Sequence, residues 1–131
     1  MNYVTTLLVL LLSFSAFSQE NNQTPLSVVN SRMDSYNRHD LNSFLKNYAE
    51  DIQVFTYPNI PLGSKGKDHL RSIFEPMFKE ANVSVKIVHQ ISQGRYVINH
   101  EVVSYGGKEQ KYASIYEVEN GLIKTVQFIR E

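Results

Sequence analysis

The chain has 131 residues, and its 13 Lys+Arg balance 13 Asp+Glu to a formal net charge of zero. One domain is expected at this length, and the lack of a basic excess argues against a nucleic-acid binder. There is no Cys, which excludes disulfides, thiolate catalysis, Fe–S clusters and Cys-based zinc sites, while 42% hydrophobic residues, with eight Tyr and seven Phe, suffice for a core.

Val4 to Phe17 read VTTLLVLLLSFSAF without a charge. That is shorter than the roughly 20 apolar residues a membrane span needs. Ala16 and Ser18 then supply small residues around a cleavage site, and polar Gln19, Glu20, Asn21 and Asn22 follow. This is the pattern of a secretory signal peptide over residues 1–18. The n-region carries no Lys or Arg, so an uncleaved N-terminal anchor is the alternative. Cleavage after Ser18 leaves about 113 residues and no stable membrane anchor. The expected location is the periplasm or exterior of a bacterium. A domain of that size can hold together without disulfides, and a dimer would help it. Residues 19–24 read as a flexible leader and 25–131 as the folded domain.

Thr24-Pro25 offers an N-cap followed by Pro at the first helical position. Leu26, Val29, Met33 and Tyr36 then fall on one helical face. Asp40 caps a second short helix, with Leu41, Phe44, Leu45 and Tyr48 facing inward and Ala49-Glu50-Asp51 closing it. Ile52 to Tyr57 is β-rich and stops at Pro58. Residues 58–66 form a loop full of breakers. A third helix carries Leu70, Ile73, Phe74, Met77 and Phe78 on one face, and Pro76 inside it should kink or shorten it. From Val83 the period becomes two: Val83, Val85, Ile87, His89 and Ile91 share one face. Gln93-Gly94, Gly106-Gly107 and Asn120-Gly121 divide the remainder into a meander, and Asn-Gly is a strong hairpin signal. The order is therefore α+β, with helices packed on one face of a curved sheet. Residues 95–105 have Tyr96, Ile98 and Val102 on one side and Val97 and Val103 on the other. Both sides should be covered, one by helices and one by a partner subunit.

Four segments carry a resemblance: Tyr36-Asn37-Arg38-His39-Asp40-Leu41, Tyr48 to Val54, Gly66 to Arg71, and Tyr116 to Ile123. In this order they resemble the nuclear transport factor two superfamily, in its SnoaL-like branch, over roughly residues 26–130. The resemblance implies a cone: a strongly curved antiparallel sheet wrapped around the N-terminal helices and a pocket. It also implies a homodimer through the convex sheet face. Such a fold hosts enzymes, binders and scaffolds alike.

Ketosteroid isomerase, a member of that branch, uses a carboxylate base with a Tyr and a protonated Asp as oxyanion hole. The resemblance puts Thr56, Arg32 and Ser114 at those three places. All three groups are absent, so steroid isomerisation by that mechanism is rejected. A threonine hydroxyl does not shuttle protons at neutral pH without a partner base. The same alignment sends Asn99 and Glu101 into the cone with Tyr112, Ser114, Tyr116, Phe128 and Arg130. Glu101 is then the candidate acid/base residue for isomerase, cyclase or dehydratase chemistry. Three readings of it stand together: an ion pair with Arg32, Arg130 or a nearby Lys, a carboxylate that meets a ligand, or an outward solvated residue. A one-residue change of parity would send His100 inward instead. His89 reads as a pocket-wall or core histidine.

Arg32, Tyr36, Thr56, Asn99, Tyr112, Ser114, Tyr116, Phe128 and Arg130 are the candidate ligand contacts. Their aromatic character suits a small apolar molecule with one or two oxygens. His39, His69, His89 and His100 show no metal-binding spacing, so neither metal nor cofactor is expected. The alternatives to an enzyme are a non-catalytic small-ligand binder and a dimeric interaction module whose pocket is filled.

Overall fold

The computed structural model describes residues 23–131. The expected signal peptide at 1–18 and the start of the expected leader lie outside the described residues.

Helix α1 (Pro25–Asn37) begins as its first residues require: the Thr24 side chain accepts from the Ser27 N–H at 3.1 Å, with Pro at the first turn. It buries Val28, Val29, Arg32, Met33 and Tyr36. Asp40 caps α2 (Leu41–Leu45), accepting from the Ser43 N–H at 3.1 Å and the Ser43 hydroxyl at 2.8 Å. This helix is shorter than its apolar spacing suggests, because Asn47 stops it. The Asn47 amide donates to the carbonyls of Ser43 and Phe44, and its own carbonyl accepts from the Ile123 N–H at 2.7 Å. Tyr48 therefore opens strand β1 (Tyr48–Thr56) rather than closing a helix.

Helix α3 (Lys67–Glu80) is not shortened by Pro76. Pro76 withholds only its own missing N–H from the Ser72 carbonyl, and the helix runs on to Ala81, whose φ of 53° ends it.

Strands β2 (Ile60–Pro61), β3 (Val83–Gln93), β4 (Tyr96–Tyr105), β5 (Lys108–Glu119) and β6 (Leu122–Arg130) join β1 in one sheet, ordered β2-β1-β6-β5-β4-β3. The sheet is curved and open, and the helices fill its concave side. The meander β3 to β6 is antiparallel, while β1 pairs with β6 in parallel, so the sheet is mixed at that one seam. β1 and β6 are far apart in sequence and joined through α3 and the meander, so no hairpin constrains their direction.

The alternation along β3 breaks at Val88. Ile87 stands opposite Glu101 and His89 opposite His100, leaving Val88 as the extra residue of a bulge. One inserted residue moves every later side chain to the other face. His89 is therefore not a pocket-wall or core histidine. It lies on the convex face, stacked on His100 with ring centroids 6.0 Å apart, and Ile91 beyond it is 61% exposed. On β4 the parity is the expected one: Val97, Asn99 and Glu101 are buried, and Tyr96 and Ile98 exposed. Tyr36, Phe44, Phe74 and Phe78 form an aromatic knot between the helices, with Phe44 and Phe74 centroids 4.7 Å apart.

Candidate functional site

Two buried charges face the cone from opposite layers. Glu101 comes from β4 and is 2% exposed, and Arg32 comes from α1 and is 5% exposed. Period-two alternation puts Asn99 beside Glu101 on the same face, and β5 presents Ser114 and Tyr116 to the same spot. Glu101 Oε1 accepts from Tyr116 at 2.7 Å and from the Asn99 amide at 3.1 Å, and Oε2 accepts from Ser114 at 3.0 Å. The Asn99 carbonyl oxygen in turn accepts from Gln90 at 2.9 Å, which leaves its amide nitrogen to face Glu101. The bulge at Val88 is what brings Gln90 to the inner face.

Glu101 thus points inward, and neutral donors stand where an ion pair with Arg32, Arg130 or a Lys was one expectation. Among the described residues no such ion pair includes it. A carboxylate has about four acceptor sites. Three are filled, and Glu101 lines a cavity.

Arg32 is held differently. Its Nε donates to the Tyr48 hydroxyl at 2.8 Å, Nη1 lies 3.3 Å from the Met33 sulfur, and Nη2 has no partner among the described residues. Its Cζ lies 5.3 Å, 5.1 Å and 5.6 Å from the ring centres of Tyr36, Phe44 and Tyr116, within range of cation–π attraction. Burial works against the Arg32 charge, but Tyr116, Tyr48 and Glu101 outweigh it and bind the proton more firmly than in an ordinary arginine. Burial pushes the Tyr116 hydroxyl well above the usual tyrosine range, against the opposing pull of Arg32, and raises that of Tyr48 in the same way. Both hydroxyls stay protonated and neutral at physiological pH.

Two cavities open beside these charges. One, of about 250 Å³, is lined by Arg32, Tyr36, Glu101, Tyr112, Phe128 and Arg130, with Ile73, Phe74, Met77, Val85 and Val103. The other, of about 360 Å³, lies toward β1 and α3 and is lined by Arg32, Tyr48, Val54, His69, Phe74 and Phe128, among others. Arg32, Ile73, Phe74 and Phe128 belong to both. A surface groove of about 560 Å³ adjoins the first cavity at Met77, Val103 and Tyr112.

Six of the sequence-derived candidates therefore meet in one cavity: Glu101, Arg32, Tyr36, Tyr112, Phe128 and Arg130. Asn99, Ser114 and Tyr116 stand behind them as donors to Glu101. Arg130 is exposed at the rim, its Cζ 5.8 Å from the Tyr112 ring centre. Thr56 lines none of these three cavities. It lies opposite Phe128 at the end of β1, one inward step beyond Val54. Tyr48 and His69 line the larger cavity and were not among the candidates. His69 had a legible signal, since it precedes Ile73 and Met77 at helical spacing on the face that meets the cone. Among the described residues no cluster of three or more His, Asp or Glu could hold a metal ion, and no helix is long and apolar enough to cross a membrane.

The sequence pattern of the SnoaL-like domain family matches residues 29–126. The fold is similar to that of an NTF2-like protein of unknown function from Cytophaga hutchinsonii, with 17% identity, a TM-score of 0.70, and 82% of this chain and 90% of that one covered. It is similar to an uncharacterized cystatin fold protein from Novosphingobium aromaticivorans, with 21% identity, a TM-score of 0.72, and coverage of 82% and 98%. It is also similar to an LEH-like epoxide hydrolase from M. tuberculosis, with 14% identity, a TM-score of 0.67, and coverage of 82% of both chains. Likeness at such identities speaks for the fold alone. No curated protein matches the chain significantly.

Proposed function

The chain belongs to the SnoaL-like domain family, and from that premise we propose that it is an exported binding protein for a small apolar organic molecule, held in the cone with an oxygen against Arg32. One observation carries the reading. A buried guanidinium keeps Nη2 without a protein partner while its residue lines two mostly apolar cavities. No buried side-chain nitrogen or oxygen lacks a partner among the described residues, so Nη2 opens onto the cavities, where a ligand oxygen would take a charge-assisted hydrogen bond. Isomerase, cyclase or dehydratase chemistry at Glu101 is the second reading. The unfilled acceptor site of Glu101 beside the smaller cavity favours it.

Export rests on the sequence pattern of residues 1–18, and N-terminal sequencing of the protein recovered from outside the cytoplasm tests it. Dimerisation through the convex face is supported by its exposed apolar residues, Val88, Ile91, Ile98 and Ile129, around the His89–His100 stack.

A thermal-shift screen of apolar oxygenated compounds, followed by chromatography of every hit, tests binding and turnover together. Hits recovered unchanged support a binder, hits converted to product support the second reading, and the absence of any hit contradicts both.

A further inference from the structure

Resting on the cone being a ligand site, we propose that its larger chamber takes a small apolar monocarboxylate, with the carboxylate held by Arg32, Tyr48 and His69. The chamber of about 360 Å³ has no Asp or Glu in its lining, and Glu101 lines only its smaller neighbour. Its polar side chains are these three, and each has donor capacity that no protein acceptor uses. Arg32 Nη2 has no partner among the described residues. The Tyr48 hydroxyl accepts from Arg32 Nε, and its own proton has no acceptor there. The His69 ring nitrogens have no hydrogen-bond partner among the described residues either, its side chain making no bond while its carbonyl accepts from the Ser72 hydroxyl.

Three side chains with unused donors, one of them a fixed buried cation, and no carboxylate among the lining residues favour an anion. Hydrogen bonds to a charged oxygen are about twice as strong as neutral ones, and a guanidinium matches a carboxylate in shape. A neutral carbonyl would leave at least one donor unpaired. The remaining walls, Val54, Leu70, Ile73, Phe74 and Phe128 among them, accept a hydrocarbon body. At roughly 30 Å³ per water-sized atom, the chamber has room for about a dozen non-hydrogen atoms.

The position of His69 is built into the loop before α3. Gly63 has a φ of 76°, and a β-carbon on it would fall against the His69 ring. The close approach of the Gly63 backbone fixes the imidazole at the chamber wall.

Phenylbutanoate and its amide, titrated into the full domain by calorimetry, test this. Amide chemical shifts report the place. The expected result is a preference for the carboxylate of about tenfold or more. Shifts should move at Gly63 and Val54 and not at Lys108 or Glu109. His69→Ala, a partly exposed residue whose loss leaves the core intact, should cut carboxylate affinity several-fold and leave amide affinity unchanged. Equal binding of both probes, or no response to His69→Ala, overturns the proposal and leaves the cone as a ligand site. Failure of both probes while other compounds bind overturns the carboxylate class alone. Failure of every compound removes both the proposal and the reading it rests on.

Discussion

Arg32 and Glu101 line the same cavity without pairing: no nitrogen of Arg32 reaches a Glu101 oxygen within salt-bridge distance. Tyr116 stands between them. Its hydroxyl donates to Glu101 at 2.7 Å, and its ring lies 5.6 Å from the Arg32 Cζ. Each charge is therefore stabilised by neutral groups and remains available to a ligand. Tyr116 touches both, and Glu101 also favours the Arg32 charge directly through space.

A double-mutant cycle reads that coupling. Arg32→Met and Glu101→Gln, alone and together, should show a stability coupling of at least about 0.5 kcal/mol in denaturant unfolding. Additive effects would mean that the two charges act independently and that Tyr116 does not link them.

Glu101→Gln removes the charge and keeps one accepting oxygen, but puts an NH2 where the other oxygen accepted, against Ser114 or against Tyr116 and Asn99. It should cost about 1–3 kcal/mol. Tyr116→Phe should cost about 2 kcal/mol, since it removes one bond to a charged oxygen. Thermal or urea denaturation checks both. An unchanged Glu101→Gln protein would mean that the donors do not hold the carboxylate as described.

The inward direction of Glu101 was legible only through the family resemblance, because both faces of 95–105 carry apolar residues and alternation alone left His100 as the alternative. The caps at Thr24 and Asp40 and the Asn120-Gly121 turn announce themselves locally. What was not legible depends on contacts between distant residues. Nothing in Val83–Gln93 marks Val88 as the bulged residue, since Val83, Val85, Ile87, His89 and Ile91 alternate across it without a break, and the bulge decides that Gln90 rather than His89 faces Asn99. The early end of α2 comes from Asn47 pairing with Ile123, 76 residues away in sequence. Arg32 was read as an oxyanion-site replacement, and only the packing of Tyr36, Phe44, Tyr48 and Tyr116 around it explains how a charge survives there.

Gly63→Ala forces a side chain into the left-handed region and against the His69 ring. It should destabilise the domain by more than about 1 kcal/mol and swing the imidazole away from the chamber. Thermal denaturation and the His69 ring resonances in NMR check the two effects. A neutral substitution would mean that the loop is looser than its contacts with His69 imply.

Acid should loosen α2 before the core. The Ser43 N–H, then the Ser43 hydroxyl and Arg38, hold Asp40 below the usual carboxylate range. The folded state therefore favours its ionised form. The stability this lends is complete above the unfolded value of about 4 and is lost as pH falls through the lower folded value. Asp40→Asn keeps a capping oxygen but does not titrate, so the fall in stability between about pH 5 and pH 2 should be shallower. An unchanged acid limb would remove Asp40 from the account.

Ile98 and Ile91 are cross-strand partners on the convex face, 38% and 61% exposed. Ile98→Glu should convert a dimer to a monomer in light scattering and leave the fold intact, because the side chain points away from the cone. A wild-type protein that is monomeric at all concentrations would contradict dimerisation through this face.

Anchoring of the ligand by Arg32 is read most directly by calorimetric titration of the strongest screening hit into wild type and Arg32→Met. Arg32→Met should lose affinity by about tenfold or more, with the folded domain retained by circular dichroism. Equal affinity in the two proteins would contradict that anchoring.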